Sequence, residues 1–430
     1  MSLANSIGKV KVNGSSNRDF KHAVEYSDVF KYHYGTRAFY ATQVVFYFCV
    51  LSQCVASIVS TAQVVDASIA SLFGSSYALQ FGGGTYDSPS PRDGIPLWID
   101  SWSEGDCDGD SDDCLPFQTS TFGPVILSLG YIVTAFLLLP LGLMDMKENV
   151  ASQLLSFVLL LAFLVSFTVT FLGSDDVDRT NVPLFGSSYT SLLGVVMFNF
   201  GLTATIPAWL HEKSEDTSPF SVIWCSSILV VALYAICGIG GGVGIRDVPD
   251  NFLAYLSAGH LGISSQITAN LFSFFIIGLG IPLFQVVMRY NLVHSHVVSP
   301  QVGVMMTSVL PWGLSWTIYQ GEGILEVFTW SGLCLNGLVG FVLPVVVSVT
   351  ALKVGSSMIS GGKDVESAHI QGEGSSAEIP ARNMVVKTFP TFLVNTDEKE
   401  RKALMCVGIV AAIGVGAGIL GKLNTGEPDE

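Results

Sequence analysis

Nine stretches of this chain run for about 18 residues or more with almost no charge, and that feature restricts the fold more than any other. They are Ala38–Val65, Phe122–Met144, Val150–Leu172, Leu184–Leu210, Phe220–Ile245, Ile267–Met288, Val302–Tyr319, Ile324–Leu352 and Ala403–Leu420. A helix rising ~1.5 Å per residue needs about 20 such residues to cross ~30 Å of hydrocarbon. Composition agrees: 13% of the 430 residues are charged and 50% are hydrophobic. A soluble protein of this length needs roughly 25% charge to cover its surface. The expected fold is an all-α polytopic membrane protein with about nine transmembrane helices.

The basic residues give the spans an orientation. With the amino terminus inside, sixteen of the twenty Lys and Arg fall in inner loops, among them Lys31, Arg37, Lys147, Lys213, Arg289 and Lys353. The outer group holds Arg92, Arg179, Arg246 and Lys422. This asymmetry follows the positive-inside rule. No apolar core follows the first basic residues, so Met1–Phe20 does not read as a signal peptide. The resulting division is a cytoplasmic segment over 1–37, a membrane core over 38–352, a cytoplasmic linker over 353–402, a last helix over 403–420 and an extracytoplasmic tail over 421–430. A net charge of −15 argues against nucleic acid, whose partners carry basic patches.

Two loops are long. The outer loop Ser75–Thr121 carries nine acids and one Arg, with Cys107 and Cys114 placed to close a small disulfide ring in an oxidising compartment. Its run Asp106–Asp113 fails the calcium-loop template, because Ser111 stands where the glycine belongs and Phe117 where the final Glu belongs. A solvated acidic loop is expected there. The inner segment Gly355–Arg401 is rich in Ser, Gly, Glu and Lys and reads as disordered. Cys49, Cys54, Cys225, Cys237 and Cys334 sit in apolar stretches as small packing residues.

No enzymatic constellation is visible. Gly238-Ile-Gly-Gly-Gly-Val-Gly244 does not fit a dinucleotide fingerprint and reads instead as close helix packing. His294 and His296 have no ligand-type neighbours at metal spacing, so no metal site is expected. No span has a charge near its midpoint, and Asp66, Arg246 and Glu326 are expected at membrane ends, within reach of water.

The fourth span contains Asn199-Phe-Gly-Leu-Thr-Ala-Thr-Ile-Pro207. Gly201 weakens a helix, the hydroxyls of Thr203 and Thr205 compete for backbone groups, and Pro207 removes a donor. A simple proline kink would produce this pattern. So would a discontinuous helix whose ends meet a substrate.

This segment, followed by Ala208-Trp209 and Glu212-Lys213, resembles the unwound helix of the eukaryotic amino acid/auxin permease family, which includes sodium-coupled neutral amino acid transporters. Further motifs follow in order: Gly280-Ile-Pro-Leu-Phe284 with Arg289-Tyr-Asn-Leu292, Leu310-Pro-Trp-Gly-Leu-Ser-Trp316 with Tyr319-Gln-Gly321, Trp330-Ser-Gly, Asn336-Gly337, and Phe341-Val-Leu-Pro344. Upstream, Tyr26-Ser-Asp28 is similar to the approach to the family's third helix.

The resemblance implies two inverted five-helix repeats followed by an extra helix, and sodium- or proton-coupled transport of a neutral amino acid without any other cofactor. It implies a substrate site at Asn199, Phe200, Gly201, Leu202, Thr203 and Ala204, facing Ser52, Gln53 and Ser57. Thr268, Asn270 and Ser273 would be the ion-coupling candidates, and Glu326 a proton site near a helix end. For each of these polar side chains an interhelical hydrogen bond is the competing role. Met1–Val24 is too short and polar for a span, so the family's first two helices are expected to be missing and the chain by itself is expected to be inactive in transport. The plasma membrane and a vacuolar or lysosomal membrane both suit such a chain. A membrane sensor or scaffold that does not transport is the rival function.

Overall fold

The computed structural model describes residues 2–81 (except 13, 14 and 18), 97–103, 116–117, 125–173, 196–197, 201–245, 252–319 (except 258 and 260), 330–361 and 397–424. Most of these residues are helical. Six helices are long and apolar enough to cross a membrane: Thr36–Phe73, Val150–Leu172, Pro219–Gly244, Ile263–His294, Ser331–Leu352 and Arg401–Leu420. Leu129–Leu143 is a shorter apolar helix. Six of the expected nine spans are therefore seen as long apolar helices among the described residues. The seventh expected span forms a helical run over 300–317, in which Met305–Val309 is π-helical. Most of the fourth lies outside the described residues.

In chain order the helices are α1 (Ser2–Lys9), α2 (Tyr26–Tyr34), α3 (Thr36–Phe73), α4 (Leu129–Leu143), α5 (Val150–Leu172), α6 (Ile206–Glu212), α7 (Pro219–Gly244), α8 (Phe252–Ser257), α9 (Ile263–His294), α10 (300–317), α11 (331–361) and α12 (Asp397–Asn424). α3 is the central post, most of its apolar stretch buried, and α4, α9, α10 and α11 pack around it. α7 has almost none of its apolar stretch buried, so its apolar surface is available to lipid. It packs along α5, where a side chain on Gly244 would collide with the Phe171 carbonyl oxygen, at 2.2 Å from a Cβ. Close helix packing thus accounts for this end of the glycine run.

Arg289 on α9 shows how a helix end is satisfied inside the bundle. The last carbonyls of a helix have no partner within it. At the end of α4, the Arg289 guanidinium donates to Gly142 O and Leu143 O at 3.1 Å and to Met144 O at 2.6 Å. A cation suits the negative end of the helix dipole. Asp145 adds a carboxylate contact at 3.3 Å.

Two regions differ from the sequence expectation. The amino-terminal segment, too polar for a span, forms a buried helix: α1 sets Leu3, Ala4, Ser6 and Ile7 in the core, against α11 and α6. The outer loop also holds more than a solvated acidic turn. Strands β3 (Ser76–Phe81), β4 (Leu97–Trp102) and β5 (Val125–Ser128) form an antiparallel sheet in the order β4-β3-β5, while β1 (Lys11–Val12) and β2 (Ser15–Ser16) make a small hairpin near the start. The described residues are mostly helical, compatible with the expected all-α polytopic membrane protein, with these short strands as the additions. α11 also runs on to Gly361, so the expected linker begins as helix.

Candidate functional site

Gln53 lies beside the midpoint of α3, and there the structure gathers polar groups from three elements. Gln53 Nε2 donates to Asn336 Oδ1 at 2.6 Å. Cys49, one turn earlier, donates its thiol to the same oxygen at 2.9 Å. Gly201 opens a 3₁₀ turn, Gly201–Ala204, that leads into α6. A Cβ on Gly201 would stand 2.7 Å from Gln53 Nε2 and 3.3 Å from Asn336 Oδ1, so the interrupted helix touches the amide pair through bare backbone.

The local chemistry explains the interruption. Pro207 deletes a helical donor, and the turn Gly201–Ala204 is wound more tightly than an α-helix. On the facing side Ser331–Val342 is π-helical, and its carbonyls meet side chains from other elements. Gly340 O accepts from Thr203 Oγ1 at 2.9 Å, and Val339 O accepts from the Tyr26 hydroxyl at 2.7 Å. π segments of this kind occur often at functional positions. A 3₁₀ turn leading into a short helix thus faces a widened helix across a buried amide pair.

The expected site residues separate into groups. Gln53 and Gly201 come together, and Thr203 joins them through α11. Ala204 is buried beside them. Ser57 is buried, whereas the Ser52 hydroxyl bonds back to Cys49 O on its own helix at 2.8 Å. Asn199 and Phe200 lie outside the described residues, as do the side chain of Leu202, Glu326, Arg246, Cys107 and Cys114. Of the ion-coupling candidates, Thr268 donates to Ser264 O at 2.8 Å and lies 3.1 Å from Ser166 Oγ on α5. Asn270 Oδ1 and Ser273 Oγ are buried with no hydrogen-bond partner among the described residues. Such groups are costly unless something else satisfies them.

Asn336 stands in a sequence motif that assigns it no role, and Cys49 reads from the sequence as a packing residue. A lone Asn in an apolar span carries one usable signal. Its amide needs partners in the bundle interior.

Two further polar clusters lie at Asp66, toward the carboxyl end of α3 and about 45 Å along the helix from its start at ~1.5 Å per residue, and just before that start. Toward the carboxyl end Asp66 is fully buried, which corrects the expectation that water would reach it. Its Oδ1 accepts from Ser76 Oγ at 2.5 Å and from Gly130 N at 2.7 Å, and its Oδ2 accepts from the Ser128 and Tyr319 hydroxyls. The sheet and the ends of α4 and α10 replace water with four donors. Ser128 also accepts from Tyr131 N at 3.1 Å as the N-cap of α4, which fixes its proton toward Asp66.

Near the other end, Glu25 and Asp28 precede α3. Glu25 Oε1 lies 2.9 Å from His294 Nδ1. Asp28 accepts from Ser295 Oγ at 3.0 Å and from Glu25 N at 3.3 Å. Burial pushes the Glu25 carboxyl above its ordinary value, opposed by the hydrogen bond and charge of His294. Burial does the same to Asp28, opposed by the Ser295 hydroxyl. Among the described residues no group of three metal-type ligands converges. Basic-residue counting assigns this end to the cytoplasm.

No protein-family model, curated protein or solved structure matches the chain. The fold and composition make it a mostly helical membrane protein with at least six helices long enough to cross a bilayer.

Proposed function

We propose that the chain is a secondary transporter of neutral amino acids, coupled to sodium or protons. The observation that carries this reading is the interrupted helix at Gly201–Glu212, which presents backbone to the buried Gln53–Asn336 pair beside the midpoint of the central helix. Broken helices beside a polar centre at membrane depth are how transporters bind zwitterionic groups without spending full charges. The described spans carry no charge beside this centre, so a charged substrate side chain would be desolvated without a countercharge. Asn270 and Ser273, with buried unpartnered oxygens, are the ion-coupling positions in this reading. The resemblance to amino acid/auxin permeases points the same way, and a plasma or vacuolar/lysosomal membrane is the setting.

The test is uptake of radiolabelled Ala and Gln by purified protein in liposomes under an imposed sodium or proton gradient. Saturable, gradient-dependent uptake supports this reading and would overturn the expectation that a chain without the family's first two helices is inactive. Binding without uptake under either gradient would favour a sensor or scaffold. Faster uptake of Lys or Glu than of Ala or Gln would remove the specificity argument.

A further inference from the structure

His294 closes α9 and is in contact with two other elements. On α2's side its Nδ1 reaches Glu25, whose side chain is 4% exposed while the imidazole is 33% exposed. On α6, the half-helix that follows the break, the His211 ring meets it edge-on at 6.4 Å between centroids. Tyr290, one turn earlier on α9, covers it at 4.6 Å. A surface recess of about 550 Å³, lined by Val293, His294, His296 and the turn to Pro300, connects this imidazole to solvent. A ring with one nitrogen committed to a buried carboxylate and a face open to water can gain a proton near neutral pH.

We propose that His294 is a proton-binding site at the end of the bundle assigned to the cytoplasm, and that a proton held there clamps α6 onto α2 and α9. In the neutral state Nδ1–H donates to the Glu25 carboxylate. A proton taken from water in the recess goes to Nε2, giving an imidazolium; the Nδ1 bond to Glu25 persists and becomes charge-assisted.

The surrounding charges favour the clamp. Glu212, the last residue of α6, and Asp145 in the turn after α4 both lie within electrostatic reach of the ring. The nearest cations are already engaged, Arg289 against Asp145 at 3.3 Å and Lys147 against Glu212 at 3.1 Å. Asp28 is held by Ser295 and also feels His296 and Lys31. An imidazolium would therefore stand beside the carboxyl end of α6, where the helix dipole and Glu212 both attract a cation. A neutral ring offers α6 only an edge contact. Because α6 continues directly from the Gly201–Ala204 turn, protonation at one surface bears on the segment joined to the turn that meets Gln53 and Asn336.

Hydrogen–deuterium exchange of the 206–212 segment tests this on the full chain in detergent micelles, at about pH 8 and about pH 6, corrected for intrinsic exchange. It reads no transport, so its outcome is separable from the amino acid reading. Wild type is expected to exchange roughly three- to tenfold more slowly at the lower pH. His294→Gln should lose the difference and exchange fast at both values, His294→Arg should be slow at both, and Glu25→Gln should lose most of it. Equal protection of wild type at both values would overturn the proposal. So would a pH dependence that survives in His294→Gln, since it would belong to His211 or His296. The one-third exposure of His294 makes its replacement tolerable, so that pair decides the matter even where Glu25→Gln does not fold.

Discussion

Gly201 has a neighbour where any other residue would need space. A Cβ 2.7 Å from Gln53 Nε2 must push that amide away from Asn336. Gly201→Val is therefore expected to abolish uptake and substrate binding while leaving expression in the membrane intact, as measured by binding and surface yield. Asn336→Ala removes the acceptor shared by Gln53 and Cys49 and leaves both buried donors without it, at a cost of about 1–3 kcal/mol. A lower thermal midpoint with strongly reduced uptake is expected. Asp66→Asn exchanges an acceptor-only group for one that carries donors, which sets an NH₂ against hydroxyls from Ser76, Ser128 and Tyr319. The loss should be roughly 3 kcal/mol, visible as a fall in midpoint, and an unchanged midpoint would refute the accounting. The sequence could not give Asp66 its role. Proximity to a helix end ordinarily means water, and only the sheet beyond that end makes it dry. Gln53 and Gly201 were legible because polar and glycine residues stand out in an apolar span.

At the scale of elements, helix ends decide much of the energetics. Arg289 holds three carbonyls of the α4 terminus and one carboxylate. Arg289→Gln should lower stability by about 3 kcal/mol, and Arg289→Lys should recover only part, since an ammonium lacks the planar fork. Chemical denaturation of the purified protein measures both. The docking of α2 has its own pH dependence. With Glu25 and Asp28 both raised by burial, the folded chain keeps protons that the unfolded chain releases just above the ordinary carboxylate range. In that window stability falls as pH rises, and below the unfolded values the contribution is fully present. Glu25→Gln combined with Asp28→Asn should flatten this slope of midpoint against pH. The strong apolar runs that became α3, α5, α7, α9, α11 and α12 were readable because membrane thickness sets their length. α1 was missed for the same reason. It is eight residues long and becomes buried by tertiary contact with α11 and α6, which no length rule registers.

For the whole molecule, orientation is the main consequence of the charge distribution. The basic-residue bias places Glu25, Lys147 and His294 inside, and the sheet outside. A protease-protection map should find Lys147 and His294 on the cytoplasmic side, with Cys107 and Cys114 oxidised in material made through the secretory pathway. A tag after Glu430 reachable only from the cytosol would mean that the count of crossings is off by one. The three-stranded sheet is the part of the architecture that hydropathy concealed. Its strands are six, six and four residues long; the first two interrupt a stretch whose acidity suggested only solvation, and the third stands within the expected second span.

The Asp66 knot also imposes an order of assembly. Ser76 follows within ten residues, Ser128 after 62, and Tyr319 only after 253. A ribosome adding about 5–20 residues per second leaves this carboxylate without its last donor for roughly 13–50 s. During that interval the outer end of α3 is hydrated and unfinished, and it can close only once α10 has been delivered. A chain halted before Tyr319 would thus carry an exposed carboxylate on a helix otherwise ready for the bilayer, a mark by which an incomplete molecule differs from a finished one.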